Sequence, residues 1–163
     1  MVARFRETVG PDFAEKAAAV GLSVHEAVVL ASLVEEETSL PEERGRVARV
    51  FHNRIERGIL MQCDPTVLYA HRRIGVSVDR LTYAHLRLDS PWNTYVTAGL
   101  PPTPIANPGR ASLFAAVEPD EGDDLYFVAR PDGGHQFSPS LAAHNRAVAV
   151  WRRHRDQQRR RGS

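Results

Sequence analysis

Residues 23–40 have the sequence SVHEAVVLASLVEEETSL, and this stretch decides the fold. It begins with Ser23 and Glu26 at capping-box spacing, where each side chain bonds the backbone N–H of the other residue. The following residues are apolar on nearly every face of a helix, which predicts a helix buried at the centre of the domain. Three consecutive glutamates, residues 35–37, stand at its C-terminal end, where the helix dipole disfavours negative charge.

The composition is that of an ordinary globular domain. Of its 163 residues, 42% are hydrophobic and 25% are charged, and the formal net charge is +1. The length allows one hydrophobic core, and the near-zero charge gives no general reason to expect a nucleic acid or a membrane surface as a partner. Cys63 is the only cysteine, which excludes an intramolecular disulfide and a cysteine-based zinc site. The sequence has no apolar run as long as a transmembrane helix and no signal-peptide core at its N-terminus.

Turn residues and apolar spacing predict the other elements. Five further helices are predicted. They cover residues 11–20, residues 39 to about 58 with a second capping pattern at 39–42, a segment after Asp64, residues 110–117, and residues 138 to about 153. A β-hairpin is predicted from residues 125–129, the turn 132–134 and residues 135–137. Residues 90–109 contain five prolines, which predicts a long, stiff, irregular segment. The fold class that follows is α+β, mainly α.

Helical geometry separates the three glutamates, since successive residues turn by about 100°. Glu36 continues the most polar stripe of the helix and is predicted to point outward, whereas Glu35 and Glu37 are predicted to point toward protein or a cleft. Burial, a neighbouring carboxylate and the helix dipole would raise the pKa of Glu37 and keep it protonated as a general acid. Three glutamates are equally typical of a solvated helix end, so the residues alone leave Glu35, Glu37 and a purely structural role open.

The irregular region offers side chains that suit a sugar. Glycosidic cleavage commonly rests on one such glutamate and a second group. Gln62, Asn93, Asn107 and Thr94 carry amides or a hydroxyl for hydrogen bonds. Trp92 and Tyr95 carry flat faces that suit the apolar side of a pyranose ring. The alternative is that both aromatic residues belong to the core, and for Trp92 this structural interpretation is favoured.

Five blocks of the chain, taken together, resemble the MltG/YceG-like endolytic murein transglycosylases. The blocks are ASLVEEET, RVARVFHNRIERG, LMQCDPTVLYA, NTYVTAGLPPTPIANPG and LYFVARPDGGHQFSPSLAAHN. They come in the family's order and extend from about Leu30 to Asn145. We therefore predict a single catalytic domain over residues 1–155, with a buried central catalytic helix, Pro-rich cleft loops and a lysozyme-like arrangement of the site. A basic, disordered tail is predicted over residues 156–163.

The resemblance assigns site residues position by position. The family's catalytic glutamate, the last acid of its E-x-E-T block, falls on Glu37. The substrate-binding positions that the resemblance implies are Gln62, Asp64, Thr66, Asn93, Thr94 and Tyr95, with Glu35 as a further acid of the site. Cys63 stands where the family has serine or threonine and is assigned no role, and Thr103 replaces a glycine and changes the expected turn. The matching residues expected to be structural are His135, Phe137 and Asn145.

The family cleaves the β-1,4 bond between N-acetylmuramic acid and N-acetylglucosamine inside peptidoglycan strands, without water, and leaves a 1,6-anhydromuramoyl end. The resemblance implies that Glu37 protonates the leaving oxygen and then takes the proton of the C6 hydroxyl, with no metal or organic cofactor. It also implies a role in terminating or processing nascent strands, with penicillin-binding proteins as partners. We expect a soluble chain whose parent carries a membrane anchor and a LysM-like domain and faces the periplasm or cell wall.

Other functions stay open. A muramidase would use Glu37 together with Asp64 as the base for water, and a wall-binding scaffold would use the same surface without chemistry. Nucleic-acid binding through the arginine-rich tail is disfavoured, because Trp151 is the only aromatic residue near it. Metal binding is disfavoured as well, because His135 and His144 lack the spacing of metal ligands.

Overall fold

The computed structural model describes residues 2–161, without the side chains at positions 2–4, 6, 159 and 161. Residues 162 and 163, the end of the predicted disordered tail, lie outside the described residues. The elements are α1 (Val2–Val9), α2 (Phe13–Ala19), α3 (Val24–Glu37), α4 (Arg44–Glu56), α5 (Asp64–Arg73), α6 (Arg110–Val117), β1 (Tyr126–Ala129), β2 (His135–Ser138) and α7 (Leu141–Arg161). Two short 3-10 turns, Pro41–Glu43 and His85–Arg87, complete them. A mostly helical domain with one small hairpin confirms the predicted fold class.

Helix α3 is the buried central helix that its sequence predicts. The Glu26 N–H donates to Ser23 Oγ at 3.2 Å, and the Ser23 N–H donates to a Glu26 carboxylate oxygen at 2.8 Å, which completes the capping box. Between this cap and the glutamates, the buried side chains are Ala27, Val29, Leu30, Ala31, Ser32, Leu33 and Val34. Each buried leucine or valine stabilises the fold by roughly 1.5–3 kcal/mol. Within residues 2–161 no single helix is long and apolar enough to cross a membrane; α2 and α3 meet that test only as a pair bent by 83°.

Polar side chains of α4 hold the segment that leads into the hairpin. His52, Asn53 and Arg54 hydrogen-bond backbone carbonyls of residues 116–125 at 2.7 to 3.1 Å. All three side chains are buried, and buried polar groups that are paired in this way fix a connection firmly. The β-hairpin therefore starts from a fixed point beside α3 and α4.

The hairpin forms as predicted. Strands β1 and β2 pair antiparallel, with Phe127 opposite Phe137 and Ala129 opposite His135. Gly133 takes a φ of +91° in the turn, a conformation that other residues rarely adopt. On the core side, the Phe127 ring lies edge-on to Phe51 of α4 at 6.1 Å. This contact packs the hairpin against the helical core.

The predicted limits of the last helix are wrong at both ends. Helix α7 begins at Leu141 because Ser138 pairs in β2, and Ser140 supplies the cap by accepting the Ala143 N–H at 3.3 Å. The helix continues to Arg161, so residues 156–161 of the predicted disordered tail are helical. Arginine and glutamine are good helix formers and no proline or glycine interrupts them, which explains the extension.

The predicted capping pattern at residues 39–42 is also wrong. Leu40 precedes the 3-10 turn, and no side chain caps that turn. Instead, Thr38 Oγ1 accepts the Leu40 N–H at 3.1 Å and donates to Glu43 Oε2 at 3.3 Å. The link between α3 and α4 is thus made by the residue that directly follows Glu37.

Candidate active site

The three glutamates at the end of α3 separate as helical geometry predicts. Glu36 is exposed, whereas Glu35 and Glu37 are partly buried. Glu37 is the last residue of the helix and lines a cleft of about 510 Å³. Glu35 is not among the residues that line this cleft. Position alone therefore favours Glu37 as the reactive acid.

Two groups of side chains surround Glu37 in the cleft. The loop wall consists of Met61, Gln62, Asp64 and Tyr95. The hairpin wall, from α4, the hairpin and α7, consists of Arg54, Tyr126, Phe127, Val128, Ala129, His135, Leu141, His144, Asn145 and Trp151. Within the described residues, no three His, Cys, Asp or Glu side chains are grouped so as to hold a metal ion.

Burial raises the pKa of Glu37 from its ordinary 4.5 to about 7. Loss of hydration of the charged form is the largest cause. A hydrogen bond from the Cys63 thiol acts in the opposite direction, the charge of Asp64 raises the pKa further, and the charges of His135 and Arg54 lower it. A glutamate that titrates near neutral pH can both give and accept a proton, as an acid–base catalyst must.

Cys63 contacts Glu37, although the sequence analysis assigns it no role. Its side chain is 1% exposed, and its thiol donates a hydrogen bond to the Glu37 carboxyl group. Burial and the charge of Glu37 raise the pKa of this thiol well above its usual value, so it remains a donor. A thiol is a weaker donor than a hydroxyl. Cys63 therefore stabilises the ionised form of Glu37 less than serine would in the same place.

The side chain of Glu35 extends from α3 to the N-terminal end of α6, where it makes structural contacts. It accepts hydrogen bonds from the Gly109 N–H at 3.0 Å and from Ser112 Oγ at 2.6 Å, and Arg44 Nη2 lies 3.9 Å away. Burial opposes ionisation of Glu35, but these hydrogen bonds outweigh it and hold its pKa below the usual value. An ionised carboxylate at a helix N-terminus is stabilising. These contacts favour a supporting role for Glu35, which joins α3 to α6.

The loop wall brings together three of the residues that the sequence assigns to substrate binding. The Tyr95 hydroxyl donates to Asp64 Oδ1 at 2.6 Å. Gln62 is exposed and has a φ of +50°, a left-handed conformation that is uncommon outside glycine. Its N–H donates to the Thr94 carbonyl at 3.1 Å, which holds this turn. Strained backbone of this kind is typical of functional sites, and it leaves the Gln62 side chain in the cleft.

Three other predicted substrate-binding residues lie beneath the loop wall. Asn93, Thr94 and Thr66 are at most 1% exposed. Thr94 Oγ1 accepts the Cys63 N–H at 3.0 Å and lies 2.8 Å from Thr66 Oγ1. Asn93 donates to two backbone carbonyls at 2.7 and 3.1 Å and accepts the Tyr95 N–H at 3.0 Å. We revise the prediction for these residues, because buried side chains with internal partners hold the wall and do not face a ligand.

The hairpin wall contains residues that the sequence analysis missed or expected to be structural. His135 Nδ1 lies 2.7 Å from Glu43 Oε2, and the His135 N–H donates to Glu43 Oε1 at 2.8 Å. Burial opposes ionisation of Glu43, but the hydrogen bonds from His135 and Thr38 outweigh it and lower its pKa. Glu43 therefore ties the end of α3 to the hairpin. Sequence spacing could not place His135 beside Glu37, because 98 residues separate them.

Trp92 lies outside the cleft lining, in agreement with its structural interpretation. Its Nε1–H donates to Thr103 Oγ1 at 3.0 Å, and the Arg73 guanidinium lies 3.9 Å from the ring centre. Thr103 thus has a hydrogen-bonding role at the position where the resembled family has glycine. Tyr95, in contrast, lines the cleft and remains a candidate for sugar contact.

Cleavage that uses protonated Glu37 is expected to lose rate above neutral pH. Because the pKa of Glu37 is about 7, the protonated fraction falls about tenfold per pH unit above that value. On purified peptidoglycan, the substrate that the resemblance predicts, a pH profile of the initial cleavage rate measures this effect. A profile without an ionisation above pH about 5, close to that of an ordinary glutamate, would contradict the assignment.

Comparison with known proteins shows a consistent similarity. The YceG-like family model matches residues 1–150. A Bacillus subtilis protein named endolytic murein transglycosylase is 46% identical over 126 residues, which are 77% of this chain and 34% of that protein. A Streptococcus pneumoniae protein of the same name is 34% identical over 78% of this chain and 24% of its own length. The crystal structure of a yceG-like protein from Listeria monocytogenes matches with a TM-score of 0.73 and 38% identity, over 83% of this chain and 43% of that one. The chain thus spans about a third or less of the length of the two named transglycosylases and less than half of the Listeria protein.

Proposed function

Because the chain belongs to the YceG-like family, we propose that it is the catalytic part of a lytic transglycosylase that cleaves peptidoglycan strands internally. The proposed bond is the β-1,4 linkage between N-acetylmuramic acid and N-acetylglucosamine. The observation that carries the proposal is Glu37, which lines a cleft at the end of a buried helix with a pKa raised to about 7. The names of the relatives support murein as the substrate class.

In the proposed reaction, Glu37 acts first as an acid and then as a base. It donates its proton to O4 of N-acetylglucosamine, and the C1–O4 bond breaks with its electron pair remaining on O4. Carbonyl and amide groups of the cleft, such as the Gln62 side chain, stabilise the oxocarbenium-like carbon. The C6 hydroxyl oxygen of the same muramic acid then bonds to C1, and its proton passes to the Glu37 carboxylate. Glu37 is restored, no water is consumed, and the product carries a 1,6-anhydro ring.

Hydrolysis is the second candidate, because Asp64 lines the same cleft. One Asp64 oxygen accepts the Tyr95 hydroxyl, and the other makes no hydrogen bond within the part of the chain that the structure describes. In a muramidase, Asp64 would remove a proton from water, and the water oxygen would bond to C1. The product would then be a reducing muramic acid.

Mass spectrometry of the products separates the two candidates. We expect purified sacculi treated with the chain to release muropeptides one water lighter than reducing products, with an anhydro end. Sodium borohydride, which reduces only free reducing ends, should leave them unchanged. A majority of reducible products would overturn the transglycosylase proposal in favour of the muramidase.

The cellular setting is part of the same proposal. A reaction on peptidoglycan takes place on the extracytoplasmic side of the membrane, where nascent strands are made. We propose a role in terminating or processing these strands, beside cell-wall synthases such as penicillin-binding proteins. The murein names of the relatives support this setting.

A further inference from the structure

Arg54 carries a buried positive charge in the cleft. Its side chain projects from α4 into the hairpin wall, and the residue is 7% exposed. Its Nε–H donates to the Leu125 carbonyl at 2.7 Å, and Nη1 donates to the carbonyls of Leu60 and Met61 at 2.9 and 2.8 Å. The guanidinium also lies 5.1 Å from the ring centre of Tyr126. These contacts fix the orientation of the guanidinium with three of its five N–H groups.

The second terminal nitrogen of Arg54, Nη2, is available for a further hydrogen bond. Nη2 makes no hydrogen bond to any of the described residues, and it does not belong to their buried unpaired atoms, so it reaches the open space of the cleft. No carboxylate of the described side chains lies within 4.0 Å of Arg54, and Glu37 interacts with its charge only from a greater distance. Taking a cation out of water is costly unless an anion compensates it. A rigidly held guanidinium with one free nitrogen at a cleft is suited to bind an anion that enters from outside.

The proposed substrate supplies such an anion. Every muramic acid carries a lactyl ether whose carboxyl group is free when no peptide is attached. When a stem peptide is attached, the lactyl carboxyl is an amide, and carboxylates occur on the peptide instead. Glucosamine-only glycans carry no carboxylate. Recognition of a carboxylate would therefore separate murein from neutral glycans with the same backbone linkage.

We propose that Arg54 Nη2 binds a carboxylate of the muramic acid unit in the cleft and thereby selects murein strands. This inference rests on the proposed function for its substrate. Arg54 contacts the strand itself, and the carbonyls of Leu60, Met61 and Leu125 hold it in the binding orientation. Hydrogen bonds to charged groups contribute enough to expect about a tenfold effect on the dissociation constant.

The test changes the charge on each side of the contact. Binding is measured by calorimetry with the Glu37→Gln variant, so that strands are not cleaved, and with the double variant that adds Arg54→Gln. The ligands are peptide-free murein strands and strands with intact stems, each tested as such and with its carboxylates amidated by methylamine. We expect amidation to weaken binding to Glu37→Gln about tenfold and to leave binding to the double variant unchanged. Loss on amidation of peptide-free strands assigns the lactyl carboxylate, and loss only with intact strands assigns the stem carboxylate.

A purely structural role of Arg54 predicts a different pattern. The added Arg54→Gln change would then weaken binding of charged strands and of amidated strands by the same factor. The Glu37→Gln variant by itself would bind charged and amidated strands with the same affinity. Either result overturns the inference. Arg54→Lys in the Glu37→Gln background keeps the charge and should retain the response to amidation, which guards against a folding defect in Arg54→Gln. Failure of the anhydro product test would overturn the proposed reaction but leave this charge coupling measurable.

Discussion

Replacing Glu37 with glutamine is expected to lower kcat for strand cleavage by about 10³-fold, within the range that a general acid contributes. Glutamine keeps the size and the hydrogen-bonding capacity of the side chain but cannot give a proton to O4. The matched control is Glu36→Gln, which makes the same chemical change one residue earlier on the exposed face of α3. Release of soluble muropeptides from purified sacculi measures both variants. The control should keep wild-type activity.

The same substitution is expected to stabilise the protein above neutral pH. The folded-state pKa of Glu37 is raised to about 7, so the folded protein holds a proton that the unfolded chain releases between pH about 4.5 and 7. Stability therefore falls as pH rises through this window, and the loss is complete above it, at about 3 kcal/mol. Glu37→Gln carries no such loss. Denaturant unfolding at pH 4 and pH 8 should show the gain mainly at pH 8.

Two outcomes would contradict the role of Glu37. If Glu37→Gln cleaves sacculi at the wild-type rate, the site assignment is wrong, and a non-catalytic wall-binding role becomes the better account. If Glu36→Gln loses as much activity as Glu37→Gln, the helix end acts through its charge and not through one positioned proton. Either result is read from the same digestion assay.

Replacing Asn93 with alanine is expected to lower the free energy of unfolding by about 2–4 kcal/mol. Asn93 is fully buried, and its amide satisfies two backbone carbonyls and the Tyr95 N–H. Alanine leaves these three groups without partners in a site closed to water and also opens a cavity. The Tyr95 backbone, which positions the hydroxyl that bonds Asp64, would lose this hydrogen bond. Chemical denaturation followed by circular dichroism measures the change.

The control for this prediction is Asn145→Ala, the same substitution at an exposed position of the hairpin wall. Surface substitutions of this kind change stability by no more than about 0.5 kcal/mol. If Asn93→Ala leaves the unfolding midpoint unchanged and weakens strand binding, Asn93 contacts the substrate as the sequence analysis assigned. The revision of its role would then be wrong.

Local sequence signals predicted α3 well. The capping box of Ser23 and Glu26 and the apolar run after it depend only on residues within one or two helical turns, so the central helix was correctly predicted. Helical geometry, at about 100° per residue, was also enough to turn Glu36 outward and Glu35 and Glu37 inward. The same kind of signal failed at α7, where Ser138 was taken for a cap. Pairing of Ser138 with Tyr126 across the hairpin is a contact between residues 12 positions apart, and it displaced the start of the helix.

By itself, the sequence determined the central helix, the hairpin and the resemblance to the family, and it narrowed the candidate reactive acid to Glu35 or Glu37. These depend on the identity and periodicity of neighbouring residues. Only the tertiary structure decided that Glu35 bonds the start of α6, that Asn93 is buried while Tyr95 faces the cleft, and that Arg54 and His135 line the cleft with Glu37. Burial and electrostatic surroundings arise from contacts between residues far apart in the chain. No local pattern encodes them. The sequence could name burial as a reason for a raised pKa of Glu37, but only the folded protein shows that burial is the largest cause and which neighbours act on that pKa.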